Sequence, residues 1–210
     1  MKEKIVVHVI GGLGDVSLIR KYPALYRCLS NYFEIGSVSD IYEKSRVKDP
    51  HALDELLNEI QEKRLKGNLD PEIRTIFKNS LLHSIEYFQV DKDEPRLPNE
   101  LFHSVKKGDL FDISTPNRFH VGLARQILEK CDAHLLIEKP ITNSLEEAVR
   151  FEHDLKRINL DGRIFYDGEH YSYYGNIREF FNNFERYTKD IINGFGLGKI
   201  TSIQIAIEED

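Results

Sequence analysis

Lys4-Ile5-Val6-Val7-His8-Val9-Ile10 runs straight into Gly11-Gly12-Leu13-Gly14-Asp15-Val16-Ser17, and this stretch decides the fold. The first seven residues form a nearly unbroken β-branched run, the pattern of a strand buried on both faces. Glycines end it at once. Val16, Leu18, Ile19, Tyr22, Leu25, Tyr26 and Leu29 then recur at helical spacing. Strand, glycine turn, helix is the opening of a βαβ unit.

The same alternation continues along the chain. Strands are predicted at 32–40, 85–90, 110–114, 133–137 and 163–166, with helices at 100–107, 119–131 and 144–158. Ser144 with Glu147 three residues on fits a capping box. Residues 49–79 carry two further helices, started at Pro50 and Pro71, an insertion too long for an ordinary βα connection. The expected fold is α/β, a doubly wound parallel (Rossmann) sheet over 1–168 with a helical insertion. From 169 to 210 the pattern changes. A long amphipathic helix at 177–192 leads through Gly194, Gly196 and Gly198 to a segment of alternating isoleucines, Ile200, Ile203, Ile205 and Ile207. This reads as a linker helix and the first strand of an incomplete, truncated α+β domain.

Composition narrows the function. The chain has 210 residues, 40% hydrophobic and 30% charged, which is globular. No apolar run reaches the roughly 18 residues a membrane span needs. A net charge of -6 argues against nonspecific nucleic-acid binding. Two cysteines, Cys28 and Cys131, make no disulfide framework or zinc spacing, and a reducing cytoplasm is the expected setting.

G-x-G-x-x-S at Gly12, Gly14 and Ser17 follows a strand and opens a helix, the context in which such a turn cradles a dinucleotide pyrophosphate. Gly11, Gly12, Leu13, Gly14 and Asp15 are the expected contacts. Asp40, ending the second strand, either accepts hydrogen bonds from the adenosine ribose, favouring NAD, or caps the following helix. Lys44 and Arg46 lie close enough in sequence to bind a phosphate, which keeps NADP open.

Two families share motifs with this chain. Gly11 to Ser17, continuing to Tyr22-Pro23-Ala24-Leu25-Tyr26, resembles the GxxGDLA…PALY signature of glucose-6-phosphate dehydrogenases, whose substrate lysine falls at Arg20. Ser114-Thr115-Pro116-Asn117 with His120, and Glu138-Lys139-Pro140, look like the TPN..H and EKP segments of Gfo/Idh/MocA sugar oxidoreductases. Leu197-Gly198-Lys199-Ile200 is similar to the segment that leads into their second domain. The resemblance implies that residues 114–117, His120 and 138–140 border the cofactor. It also implies a cis peptide before Pro140 and a catalytic lysine at Lys139, set between nicotinamide and substrate hydroxyl. Asp167-Gly168-Glu169-His170-Tyr171 is similar to the DHY segment of glucose-6-phosphate dehydrogenases, with Glu169 in place of the aspartate. His170 is then the expected proton acceptor, and Arg20, Glu169 and Tyr171 join Lys139 and His170 at the substrate.

The implied activity is hydride transfer between NAD or NADP and a CH-OH group of a sugar, sugar phosphate or cyclitol. A small carbohydrate is the partner, and a homo-oligomer is a family expectation. With only 71 residues after Lys139, the competing expectations are a dinucleotide-binding regulatory protein or a fragment of a longer enzyme.

Overall fold

A computed structural model describes residues 4–63, 69–158 and 163–167. Six parallel strands form one sheet in the order β3-β2-β1-β4-β5-β6. They are β1 (Ile5–Ile10), β2 (Phe33–Asp40), β3 (Glu86–Gln89), β4 (Leu110–Ile113), β5 (His134–Ile137) and β6 (Phe165–Asp167). The order reverses between β1 and β4, and at such a switch point the loops leaving neighbouring strands part and open a crevice.

Both faces of the sheet are covered. Val7 and Val9 of β1 point to one side, where α1 (Tyr22–Arg27), α2 (Lys44–Lys48), α3 (Pro50–Lys63) and α4 (Pro71–His83) bury Tyr22, Val47, Leu53, Leu57, Phe77 and Leu81. Ile10, Phe111, Ile113, Leu135 and Ile137 pack on the other side against α5 (Asn99–His103), α6 (His120–Lys130) and α7 (Leu145–Arg157). The period-2 alternation of a strand explains the division.

The insertion is larger than the sequence suggests. It begins at Lys44 with α2 and ends at His83, wider than 49–79 at both ends. Asp70 caps α4 by accepting from the amides of Glu72 and Ile73 at 3.0 and 3.2 Å. The helix expected at 100–107 is a short one, α5. At α7 the capping box is only half formed. Ser144 Oγ accepts from the Glu147 amide at 3.2 Å, but the Glu147 carboxylate takes the Thr142 hydroxyl, and Thr142 Oγ1 accepts from the Ser144 amide.

The helix after the glycine turn also differs. Ser17–Lys21 is a π turn, in which the amide of Tyr22 reaches back to the carbonyl of Ser17. Pro23 accounts for it. Proline has no N–H to give, and its ring crowds the carbonyl four residues back, so the preceding turn opens by one residue. Among the described residues no helix is long and apolar enough to cross a membrane.

Candidate functional site

The C-terminal ends of β2, β1, β4 and β5 bring the sequence motifs into one row. Gly11 leaves β1 with φ +81°, a backbone that favours glycine. A Cβ there would stand 2.6 Å from the Ser114 carbonyl oxygen, so glycine is also required by the close approach of β4's loop. Ser17, fully buried, donates its hydroxyl to the Gly11 carbonyl at 3.1 Å and closes the turn. Leu13 is buried, whereas Asp15 is exposed and its carboxylate accepts from the next amide, that of Val16, at 2.9 Å.

Asp40 ties this turn to β2. One carboxylate oxygen accepts from the Leu13 amide and the other from the Ile41 amide, both at 2.7 Å. It does not cap the next helix. That helix, α2, starts at Lys44 and has Glu43 at its N-cap with no side-chain bond, so the capping reading gives way to an anchor for the glycine turn.

A cavity of about 230 Å³ opens beside Asp40. Gly11 and Gly14 form its floor, Ile41, Val90 and Pro95 one wall, and Ser114, Thr115, Pro116 and Phe119 another. Lys44 and Arg46 do not line it. Arg46 instead pairs with Glu59 at 3.2 Å, while Lys92 and Arg118 are the basic residues at the cavity.

The Thr115 hydroxyl is buried there with no hydrogen-bond partner, an unsatisfied polar group that a bound molecule could complete. Glycine backbone, a small hydroxyl, an apolar wall and an acidic group at the end of β2 together fit a dinucleotide. Residues 11–14 would take the pyrophosphate and Asp40 the ribose.

The second cluster stands at the ends of β4 and β5. Asp112 falls between Phe111 and Ile113, so its side chain points to the face covered by α1. There Lys21 Nζ meets Asp112 Oδ1 and Ser114 Oγ, each at 2.5 Å, and Glu138 Oε1 at 3.3 Å. Burial pushes the Asp112 carboxyl above its ordinary range, against the pull of Lys21.

Arg20, the residue expected from motif alignment, is exposed, and no described contact of that cluster involves it. The π turn accounts for the placing of the two side chains. One extra residue in the turn carries Lys21 to the strand ends and leaves Arg20 outside. Lys21 is the basic residue of this turn that the structure brings to the ends of β4 and β5; sequence reasoning did not single it out, and Pro23 was the signal that could have found it.

Lys139 and Pro140 are exposed at the end of β5, joined by a cis peptide bond. Glu138 donates its amide to the Ile113 carbonyl at 2.9 Å. Asn117 donates to the Asn143 side chain at 2.9 Å, linking the loop after β4 to the loop after β5. His120 is 1% exposed and does not line the cavity. Its ring nitrogens face two backbone carbonyls, Thr115 at 2.6 Å and Pro140 at 3.0 Å. Glu169, His170 and Tyr171 lie outside the described residues, as do the helix expected at 177–192, the strand at 199–208 and the boundary at 168/169.

Comparison with known proteins agrees with this architecture. Residues 72–159 match the family described as the oxidoreductase family GFO_IDH_MocA, NAD-binding Rossmann fold. No curated protein matches the chain.

Among solved structures, an oxidoreductase from Sinorhizobium meliloti is similar with TM-score 0.52 and 17% identity, over 88% of this chain and 42% of its own. Glucose-6-phosphate 1-dehydrogenase from Mycobacterium avium gives 0.53 and 16%, over 78% of this chain and 36% of its own. The WlbA dehydrogenase of Chromobacterium violaceum, solved with NADH and UDP-GlcNAcA, gives 0.51 and 13%, over 89% and 41%. At these identities the likeness is one of fold, and the chain spans less than half the length of each of the three. Strand order and glycine turn agree with the matched segment: over residues 72–159 this chain is similar to the Gfo/Idh/MocA oxidoreductases, and its fold is a parallel Rossmann sheet of the NAD-binding kind.

Proposed function

We propose that the chain serves an NAD(P)-dependent oxidoreductase that moves a hydride between the cofactor and a CH-OH carbon of a sugar, sugar phosphate or cyclitol. One observation carries the reading: the row of strand ends. Asp40, the Gly11 turn, residues 114–116 and Lys139 leave β2, β1, β4 and β5, which are consecutive neighbours in the sheet. Three strand spacings, about 14 Å, separate the first from the last. A dinucleotide laid across this row has its ribose at Asp40 and its reactive ring toward Lys139.

The cofactor, when bound, supplies the hydride acceptor or donor. The chain's own residues hold and orient. Lys139 presents an ammonium that hydrogen-bonds the reacting oxygen and stabilises charge developing on it. His170 takes the hydroxyl proton, with Glu169 orienting the ring and Tyr171 and Arg20 offering substrate contacts. Residues 169–210 form the start of a substrate and dimerisation domain in this reading. A carbohydrate is the small-molecule partner, in a cytoplasmic setting.

The test follows absorbance of NADH at neutral pH against a panel of sugars, sugar phosphates and cyclitols. It compares the wild-type chain with Lys139→Met. Turnover of one class, lost in the variant while NADH still binds, supports the reading. Turnover that survives Lys139→Met removes Lys139 from the chemistry. A wild type that binds NADH but turns over nothing points instead to a nucleotide-binding role without catalysis.

A further inference from the structure

Two loops frame the cofactor row, one after β4 with Thr115 and one after β5 with Lys139-Pro140. One link between them runs through a single, fully buried side chain. His120 Nε2 lies 2.6 Å from the Thr115 carbonyl oxygen, and Nδ1 lies 3.0 Å from the Pro140 carbonyl oxygen. The ring is 1% exposed, so water does not compete for either nitrogen.

A carbonyl oxygen only accepts, so each contact needs a hydrogen on the nitrogen that faces it. A doubly protonated ring makes both bonds, and a neutral ring makes one. Thr115 lines the cavity, and Pro140 follows Lys139 directly. His120 itself opens α6, whose Val121, Ala124 and Ile127 are buried in the core. The strap is therefore anchored to a rigid element.

We propose that His120 is a positioning residue that fixes the loop carrying Lys139 against the loop that lines the dinucleotide cavity, so that cofactor binding is felt at Lys139. The inference rests on the oxidoreductase reading for its purpose, and on the two contacts of the His120 ring for its geometry. It assigns His120 no contact with cofactor or substrate. The Asn117–Asn143 bond is a second link between the same loops, but it is exposed and hence the weaker one.

The test uses the full chain with His120→Phe, which keeps ring volume and removes both nitrogens, and His120→Gln, which restores a donor. Backbone hydrogen exchange is followed at residues 115–119 and 139–142, with and without NADH. Without nucleotide, His120→Phe is expected to speed exchange in both segments about tenfold, the effect of one lost hydrogen bond, while amides inside α6 stay unchanged. His120→Gln recovers part of the loss.

In wild type NADH slows exchange at 139–142. In His120→Phe it slows 115–119 alone, a loss of coupling that a purely space-filling role would not produce. Unchanged exchange at 139–142 in His120→Phe overturns the proposal. If His120→Phe fails to fold, His120→Leu, which also removes both nitrogens, takes its place in the same comparison. Absence of any NADH effect in wild type counts against the oxidoreductase reading, and the nucleotide-free comparison still decides for or against the strap.

Discussion

Lys21 Nζ lies 3.3 Å from Glu138 Oε1, so the residue just before Lys139 is held by a lysine that comes from the far side of the glycine turn. The same ammonium holds Asp112 at 2.5 Å, with the two side chains 13% and 6% exposed. One cation therefore joins the ends of β4 and β5 to the start of α1.

Removing that cation strands a buried carboxylate. Lys21→Met is expected to cost about 3 kcal/mol at neutral pH in urea unfolding. Toward pH 4 the loss shrinks, because a protonated Asp112 needs no cation. Arg20→Ala, at an exposed position, should change stability by less than about 0.5 kcal/mol. Equal effects of the two variants would contradict the assignment of Lys21.

Asp40 has two separable duties. Asp40→Ala removes acceptors from the Leu13 and Ile41 amides and should destabilise by about 2 kcal/mol. It should also narrow the preference for NADH over NADPH, since no carboxylate then repels a 2'-phosphate. Titrations with both nucleotides check the second effect, and an unchanged ratio would deny Asp40 any part in cofactor choice.

Tyr22 is fully buried and stacks on Phe77 at 4.2 Å, yet its hydroxyl has no partner. Tyr22→Phe keeps the stacking and removes an unsatisfied group. The expected result is a gain of about 1 kcal/mol in thermal or urea unfolding. A loss would mean that the hydroxyl bonds something beneath Gly12, whose own Cβ position is 2.6 Å away.

His8 is buried between Ser37, at 2.8 Å from Nδ1, and the ring of Phe111, stacked at 4.8 Å. Burial lowers its pKa below 6.5, and Asp109, 3.5 Å from Nε2, only partly opposes the shift. Below pH 6.5 the unfolded chain takes up this proton before the folded one does. Stability should therefore fall as pH drops from 6.5 toward the depressed folded value, and recover as pH rises. Replacing the ring with His8→Asn should flatten that slope in urea midpoints taken between pH 5 and 7.5. A slope that persists unchanged would place its source elsewhere.

Much of this was legible in the sequence because parallel strands buried on both faces announce themselves as β-branched runs. β1, β4 and β5, with the motif loops that follow them, stand within one residue of the runs 4–10, 110–114 and 133–137 read from the sequence. The row of Gly11, Asp40, Thr115 and Lys139 follows from strand order, since each residue sits at or just beyond a strand's C-terminal end.

Other features depend on packing that spacing cannot show. The placing of Lys21 at the strand ends comes from a π turn in front of Pro23, and motif alignment counts residues as though every turn were alike. The double bond of Asp40 to Leu13 and Ile41, and the burial of His120 between two carbonyls, arise between segments distant in sequence. Helix α2 is short, with only Val47 buried, too little periodicity to be read.

The most direct test of the dinucleotide site is calorimetric titration of the chain with NADH and NADPH, beside Gly14→Asp. A Cβ at Gly14 meets the Gly11 carbonyl oxygen at 3.2 Å, tight but tolerable, so the variant should fold and fail chiefly by setting a carboxylate against the pyrophosphate. The expected result is binding to the wild-type chain, tighter for NADH, and none to the folded variant. A folded wild-type chain that binds neither nucleotide, or a Gly14→Asp chain that binds as well as wild type, would contradict the site described.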